Sequence, residues 1–168
     1  MPLNTLNRAT ATQYRFVLNQ LPTAISAGTV HDMDTLKLNI FNVNLPSVSL
    51  EQSQMDWQGM HTYQHTGGIT FDPLTINFLV DGRFANWRIL FNWITAIANN
   101  KDRPTRPPKE YITDGGIILL DNWENVLFKI AFINMWVQSL GELSFSIRDG
   151  ETHIECSATF LYDRYEVV

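Results

Sequence analysis

At 168 residues the chain is about one domain long, and a domain of that size buries roughly two-thirds of the surface its unfolded chain exposes. Apolar residues make up 45% of it and charged residues only 17%, below the roughly 25% of an ordinary soluble domain, which suits surfaces hidden against other subunits. A net charge of -5 with a pI near 5.2 argues against a protein that grips phosphate backbones, because such binding rests on clustered Lys and Arg.

Tyr14 to Leu18 is a short β-prone run. Leu36, Leu38 and Ile40 alternate with Lys37 and Asn39, and then Phe41, Val43 and Leu45 shift the apolar phase. The shift predicts a bulge, or a strand apolar on both faces that leaves its own core to meet a neighbour. Pro46 limits the pairing, since proline cannot donate to a ladder. Val48 to Trp57 reads as a further extended segment, and Met60 to His65 as another that Gly67-Gly68 ends. The cleanest strand is Leu74 to Val80, with Leu74, Ile76, Phe78 and Val80 on one face.

From Ala85 to Asn99 the period becomes helical: Trp87, Leu90, Phe91, Ile94, Ile97 and Ala98 form an apolar stripe, widened by Ile89 and Trp93. The pattern predicts that Trp87, Phe91 and Ile94 pack onto a sheet, leaving Arg88, Asn92, Thr95 and Asn99 wet. Residues 99 to 109 are polar and proline-rich and read as a surface loop. Gly116 to Asp121 and Val126 to Ile133 make a hairpin turning at Asn122 to Asn125. Glu142 to Ile147 and His153 to Tyr162 make another, joined through Asp149-Gly150. Many strands and one helix predict a mainly β fold, an antiparallel sandwich or partial barrel flanked by the helix, with one domain over residues 1 to 168.

Chemistry-bearing residues are sparse. His61 and His65 share a strand face, but polar surface histidines explain them better than a metal site; His31 and His153 have no ligand pattern around them. Cys156 lies on the apolar face of an alternating strand, as a buried thiol does. Nothing in the spacing of Asp56, Asp72, Asp114 and Asp121 selects a catalytic set, and no nucleophile elbow, phosphate loop or paired-cysteine motif occurs. No enzyme and no cofactor is expected. Trp57, Trp87, Trp93, Trp123 and Trp136 leave one alternative, a monomeric β-sandwich module that stacks on a carbohydrate or grips a peptide. One cysteine excludes an intrachain disulfide, no targeting pattern opens the sequence, and no apolar run approaches the roughly 20 residues of a membrane span. Folding in a reducing cytoplasm is expected.

Several blocks occur in an order that resembles a known family. They are Leu45 to Leu50; Thr70-Phe71-Asp72-Pro73-Leu74-Thr75-Ile76-Asn77-Phe78-Leu79-Val80-Asp81; Asn86-Trp87 leading to Ile94; and Ser139 to Phe145 followed by Glu155 to Asp163. The pattern is similar to that of the tail-tube proteins of contractile-tailed bacteriophages. The resemblance implies a subunit that closes hexameric rings around a shared inner β-barrel, the rings stacking into a tube for genome delivery. It implies partners in the tail sheath protein, in baseplate or neck proteins, and in viral DNA that passes without specific binding. The expected location is the virion tail, after assembly in the host cytoplasm. Residues 19 to 34 depart from the family pattern, so a baseplate tube-initiator or a neck ring is the alternative, with a secretion-system tube protein beside it. Under this reading acids should line the lumen, with Glu51, Asp56, Glu142 and Glu155 as candidates.

Overall fold

A computed structural model describes residues 12–22, 25, 39–98, 110–147 and 152–168, with the side chain of Trp57 outside that set. The expected strand start at 36–38, the loop at 99–109, His31 and the Asp149-Gly150 turn lie outside the described residues.

In chain order the described elements are β1 (Tyr14–Leu18), β2 (Ile40–Asn44), β3 (Val48–Trp57), β4 (Met60–Phe71), β5 (Leu74–Leu79), α1 (Ala85–Ala98), β6 (Thr113–Leu120), β7 (Val126–Leu140), β8 (Glu155–Leu161) and β9 (Arg164–Val167). All described pairings are antiparallel. One seven-stranded sheet runs β1-β6-β7-β8-β5-β2 with β9 attached to β7, while β3 and β4 form a separate two-stranded sheet.

The long strand β7 folds the sheet over on itself. Its first half pairs with β6 and β9, and its second half with β8. Between the halves Asn134 adopts a φ of 57°, held by its N–H to Asp114 Oδ1 (3.0 Å) and its side-chain amide to Asp163. Asparagine tolerates this left-handed conformation better than a β-branched residue does. The apolar faces meet inside: Leu74, Ile76, Phe78, Cys156, Ala158 and Phe160 from one half, and Phe16, Leu18, Ile117, Ile130 and Phe132 from the other. Phe16 and Phe160 bridge them, their rings 6.4 Å apart. The alternation expected in the strands of Leu74 and Cys156 is the alternation observed.

Helix α1 covers this core with most of the expected stripe, Leu90 buried and Trp87, Ile94 and Ile97 packed against the cluster, but Phe91 stays outside it. Asn86, Ile89, Leu90 and Trp93 are buried, whereas Phe91 is 45% exposed. Asn86 sets the rotation: its side-chain amide donates to Leu79 O (2.7 Å), and its Oδ1 accepts from Trp87 N (2.9 Å). Trp93 then points inward, donating its indole N–H to Tyr111 O (2.7 Å) and meeting Phe160 edge-on. Phe91 is left at the border, stacked on Trp87 at 5.0 Å. Asp81 Oδ1 accepts from Ala85 N (2.7 Å) and caps the helix start.

Two further expectations are corrected. Glu142 to Ile147 is not a strand; β7 continues to Leu140 and its end, with β5, pairs β8 in place of the expected hairpin partner. At Gly141 the chain leaves the sheet, its N–H donating to Ser157 O (2.7 Å) where an added Cβ would lie 2.4 Å from Ser157 Oγ. Gly67-Gly68 does not end a strand either, because β4 runs through both to Phe71. The short strand β9, which has no clear alternation, is found only in the structure.

Candidate assembly surface

The hairpin of β3 and β4 projects as an arm. Every residue of β3 whose side chain is described is exposed, and so is all of β4 except Gly68 and Phe71. Its tip, Gln58-Gly59, has φ values of 49° and 80°, as the two central residues of a type I′ turn require. Gly67, at φ 82°, takes up a bulge opposite Glu51: Leu50 faces Ile69, but Gln52 faces His65. Thr66 Oγ1 donates to Glu51 O (3.0 Å) across the bulge, and Gly68 leaves room for the Glu51 carboxylate, which an added Cβ would approach to 2.6 Å.

The register sorts the arm's side chains onto two faces, since directly opposed residues point the same way. Near the root, Val48, Leu50 and Ile69 make one face apolar, and all three are exposed. Further out the same face turns polar, with Gln54 and Asp56 both hydrogen-bonded to His61 Nδ1. Met55 and Met60 lie on the opposite face near the tip, 50% and 70% exposed. A two-stranded hairpin standing alone is marginal in water, and this one is exposed at nearly every described side chain.

The root is fixed where the tip is free. Phe71 packs on Tyr165 at 5.1 Å and on Tyr162 at 6.2 Å, and Phe132 backs both tyrosines. Tyr162 donates its hydroxyl to Asp72 O (2.6 Å), and Ser47 bonds the Asp72 carboxylate across the two chain passages. Burial, with smaller contributions from Tyr165 and Asp72, pushes the Tyr162 phenol up to about 12 from its usual 10. A raised phenol stabilises the fold fully below its unfolded value, and the contribution fades as pH rises through the folded one. We predict that the thermal midpoint falls between pH 10 and 12 by more in the native protein than in Tyr162→Phe. Parallel melting curves across that window check it, and identical curves contradict it.

A second open feature is a groove of about 520 Å³. Tyr14 of β1, Phe41 to Asn44 of β2, Leu45, Ile117 and Leu119 of β6, and Ile130 of β7 line it. Because β1 and β2 are the two ends of the strand order, the groove lies along the seam where the sheet stays open. The phase shift expected near Phe41 is present as a register shift between Ile40 and Asn42. Phe41 is 46% exposed and Leu45 53%.

The sequence-selected residues are dispersed. Glu51 and Asp56 stand on the arm, Glu142 follows β7, and Glu155 opens β8; all four are exposed. Five positions apart on one strand, Glu51 and Asp56 fall on opposite faces of the arm. The arm, residues 48–71, carries these two acids and no Lys or Arg. The carboxylates weighed for catalysis serve structure: Asp56 pairs with His61, Asp72 with Ser47, Asp114 with Asn134 N, and Asp121 holds the β6–β7 turn. Hydrogen bonds from Asn125 and Trp123 N depress the Asp121 carboxyl. Cys156 is buried and burial raises its thiol, so it is a core residue. No group of three metal-ligating residues forms among the described residues, and no described helix is long and apolar enough to cross a membrane. Sequence reasoning missed the arm as a unit, although Gln58-Gly59 between two β-prone runs is the signal that could have found it.

The chain is 33% identical to the tail tube terminator protein of Enterobacteria phage T4 over 109 residues, 60% of this chain. That match spans 59% of the T4 protein, less than two-thirds of its length. Among solved structures it resembles the sheath/tube terminator structure of the extracellular contractile injection system PVC, with a TM-score of 0.63 and 15% identity over 96% of both chains. It also resembles the tube-terminating cap of the anti-feeding prophage, with a TM-score of 0.59 and 16% identity over 100% of this chain and 99% of that one. At these identities the two structures establish a common fold. The pattern of the phage tail tube protein family matches residues 9–168, so the chain belongs to that family, a structural component of the phage tail and not an enzyme.

Proposed function

We propose that the chain is the ring-forming subunit at the end of a contractile phage tail tube, one domain per subunit and six subunits per ring. The observation that carries the ring is the arm, whose described apolar side chains Val48, Leu50, Met55, Met60 and Ile69 are all exposed. Six follows the symmetry applied to the anti-feeding prophage baseplate, whose chain shares this fold at a TM-score of 0.61. The terminal position is supported by the similarity to the T4 tail tube terminator. A repeating tube subunit is the second reading, favoured by the likeness to a PVC sheath-tube complex at a TM-score of 0.60. Under either reading the partners are further copies of the chain, the tail sheath, and baseplate or neck proteins. DNA passes through the lumen unbound, and the subunit assembles in the host cytoplasm before joining the virion. Gold-labelled antibody on intact virions separates the two: label at one end of the tail supports the terminal ring, and label along its length contradicts it.

The lumen is acidic in this account. An arm with two acids and no cation suits a wall that repels the phosphate backbone. Replacing Glu51, Asp56, Glu142 and Glu155 with lysine should leave rings intact yet slow DNA ejection, because each new cation holds a phosphate in a salt-dependent contact. Ejection timed at low and high salt checks this. An unchanged rate at low salt contradicts the electrostatic part alone.

A further inference from the structure

The seam groove and the arm tip answer one another. We propose that the groove between β1 and β2 of each subunit receives the Met55 and Met60 side of the arm tip from a second copy of this chain. The inference rests on the ring reading above and names the contact that would build it.

Four observations carry it. The groove is bordered by the outer edges of β1 and β2, whose backbone donors and acceptors no other described strand pairs. Its described wall combines apolar Phe41, Val43, Leu45, Ile117, Leu119 and Ile130 with uncharged Gln13, Tyr14, Asn42 and Asn44, and no charged side chain is among these described residues. The tip carries two exposed methionines on one face, and methionine is flexible enough to fill an irregular apolar gap. The groove's volume of about 520 Å³ is also within the range of sites that enclose a bound group.

Reach decides whose tip it is. Leu45, just before the arm, lines the groove, and the neighbouring Pro46 lies against Tyr165 in the aromatic root. Strand β3 then runs ten residues outward to the turn at Gln58-Gly59. At about 3.3 Å per residue that places the tip roughly 30 Å from the subunit's own groove. With the root clamped, the tip cannot turn back, but it can cross to a neighbour. Each subunit then gives a tip and receives one, a head-to-tail contact that closes into a ring when the rotation permits.

Paired cysteines test the contact. Asn44→Cys at the groove rim and Met60→Cys at the tip are both exposed positions, so neither disturbs the core, and the native Cys156 is buried. Oxidation joins two cysteines only where their Cα atoms come within about 7 Å. The full-length double variant, assembled and oxidised, should give a ladder of covalent oligomers on a denaturing gel, and each single variant should stay monomeric there. An equal mixture of the two single variants should give covalent dimers, which only a link between copies can produce. Light scattering on the same samples separates the outcomes. Rings of normal mass without a ladder overturn the groove contact and leave the ring reading standing. A link within one chain, seen as a faster monomer band, also overturns it, and absence of any oligomer overturns both.

Discussion

Trp93→Ala should destabilise the subunit by about 3 to 5 kcal/mol, the cost of truncating a large aromatic in a packed core. Trp93 is fully buried, contacts Phe160 edge-on and donates to Tyr111 O, so its removal opens a cavity and leaves a carbonyl without its donor. Phe91→Ala, one helical position from Leu90 but 45% exposed, should cost less than about 1 kcal/mol in the free subunit, in line with surface substitutions. Urea unfolding of both variants as monomers checks the pair. Equal losses would mean that Phe91 is as well packed as Trp93, contradicting its place outside the core.

Shortening the arm should have the opposite profile. Replacing residues 52–65 by an Asn-Gly turn between Glu51 and Thr66 removes, among the side chains described, only exposed ones. The thermal midpoint of the monomer should therefore stay nearly unchanged, while ring formation is lost. Sedimentation at matched concentrations reads the second effect and calorimetry the first. Rings formed by the shortened chain would remove the arm from the assembly.

How far the sequence reveals this structure depends on how local the deciding contacts are. The strands of Leu74 and Cys156 were legible because alternation with one buried face is a property of the segment alone. The bulge at Phe41 was legible for the same reason, as a break in phase. The stripe of Trp87, Leu90, Ile94 and Ile97 was legible too, but the exposure of Phe91 was not, because Ile89 and Trp93 widen the apolar arc until its edge is undefined. The buried Asn86, bonded to Leu79 O at the end of β5, and Trp93, bonded to Tyr111 O, fix that edge. The extent of β4 hid behind Gly67-Gly68, since a glycine pair reads equally as a stop or as a bulge, and only the register opposite Glu51 distinguishes them. The groove could not be read at all. It is built from β1, β2, β6 and β7, and its existence depends on the sheet failing to close between strands that are distant in sequence.

The central claim is that these uncovered surfaces belong to a ring. Native mass spectrometry of the purified full-length chain tests it most directly, with the 19.3 kDa subunit as its unit of mass. The account predicts a closed six-subunit species, or stacks of it, that persists on dilution. A chain that remains monomeric at every concentration, in the presence of its tail partners as well as without them, would contradict it.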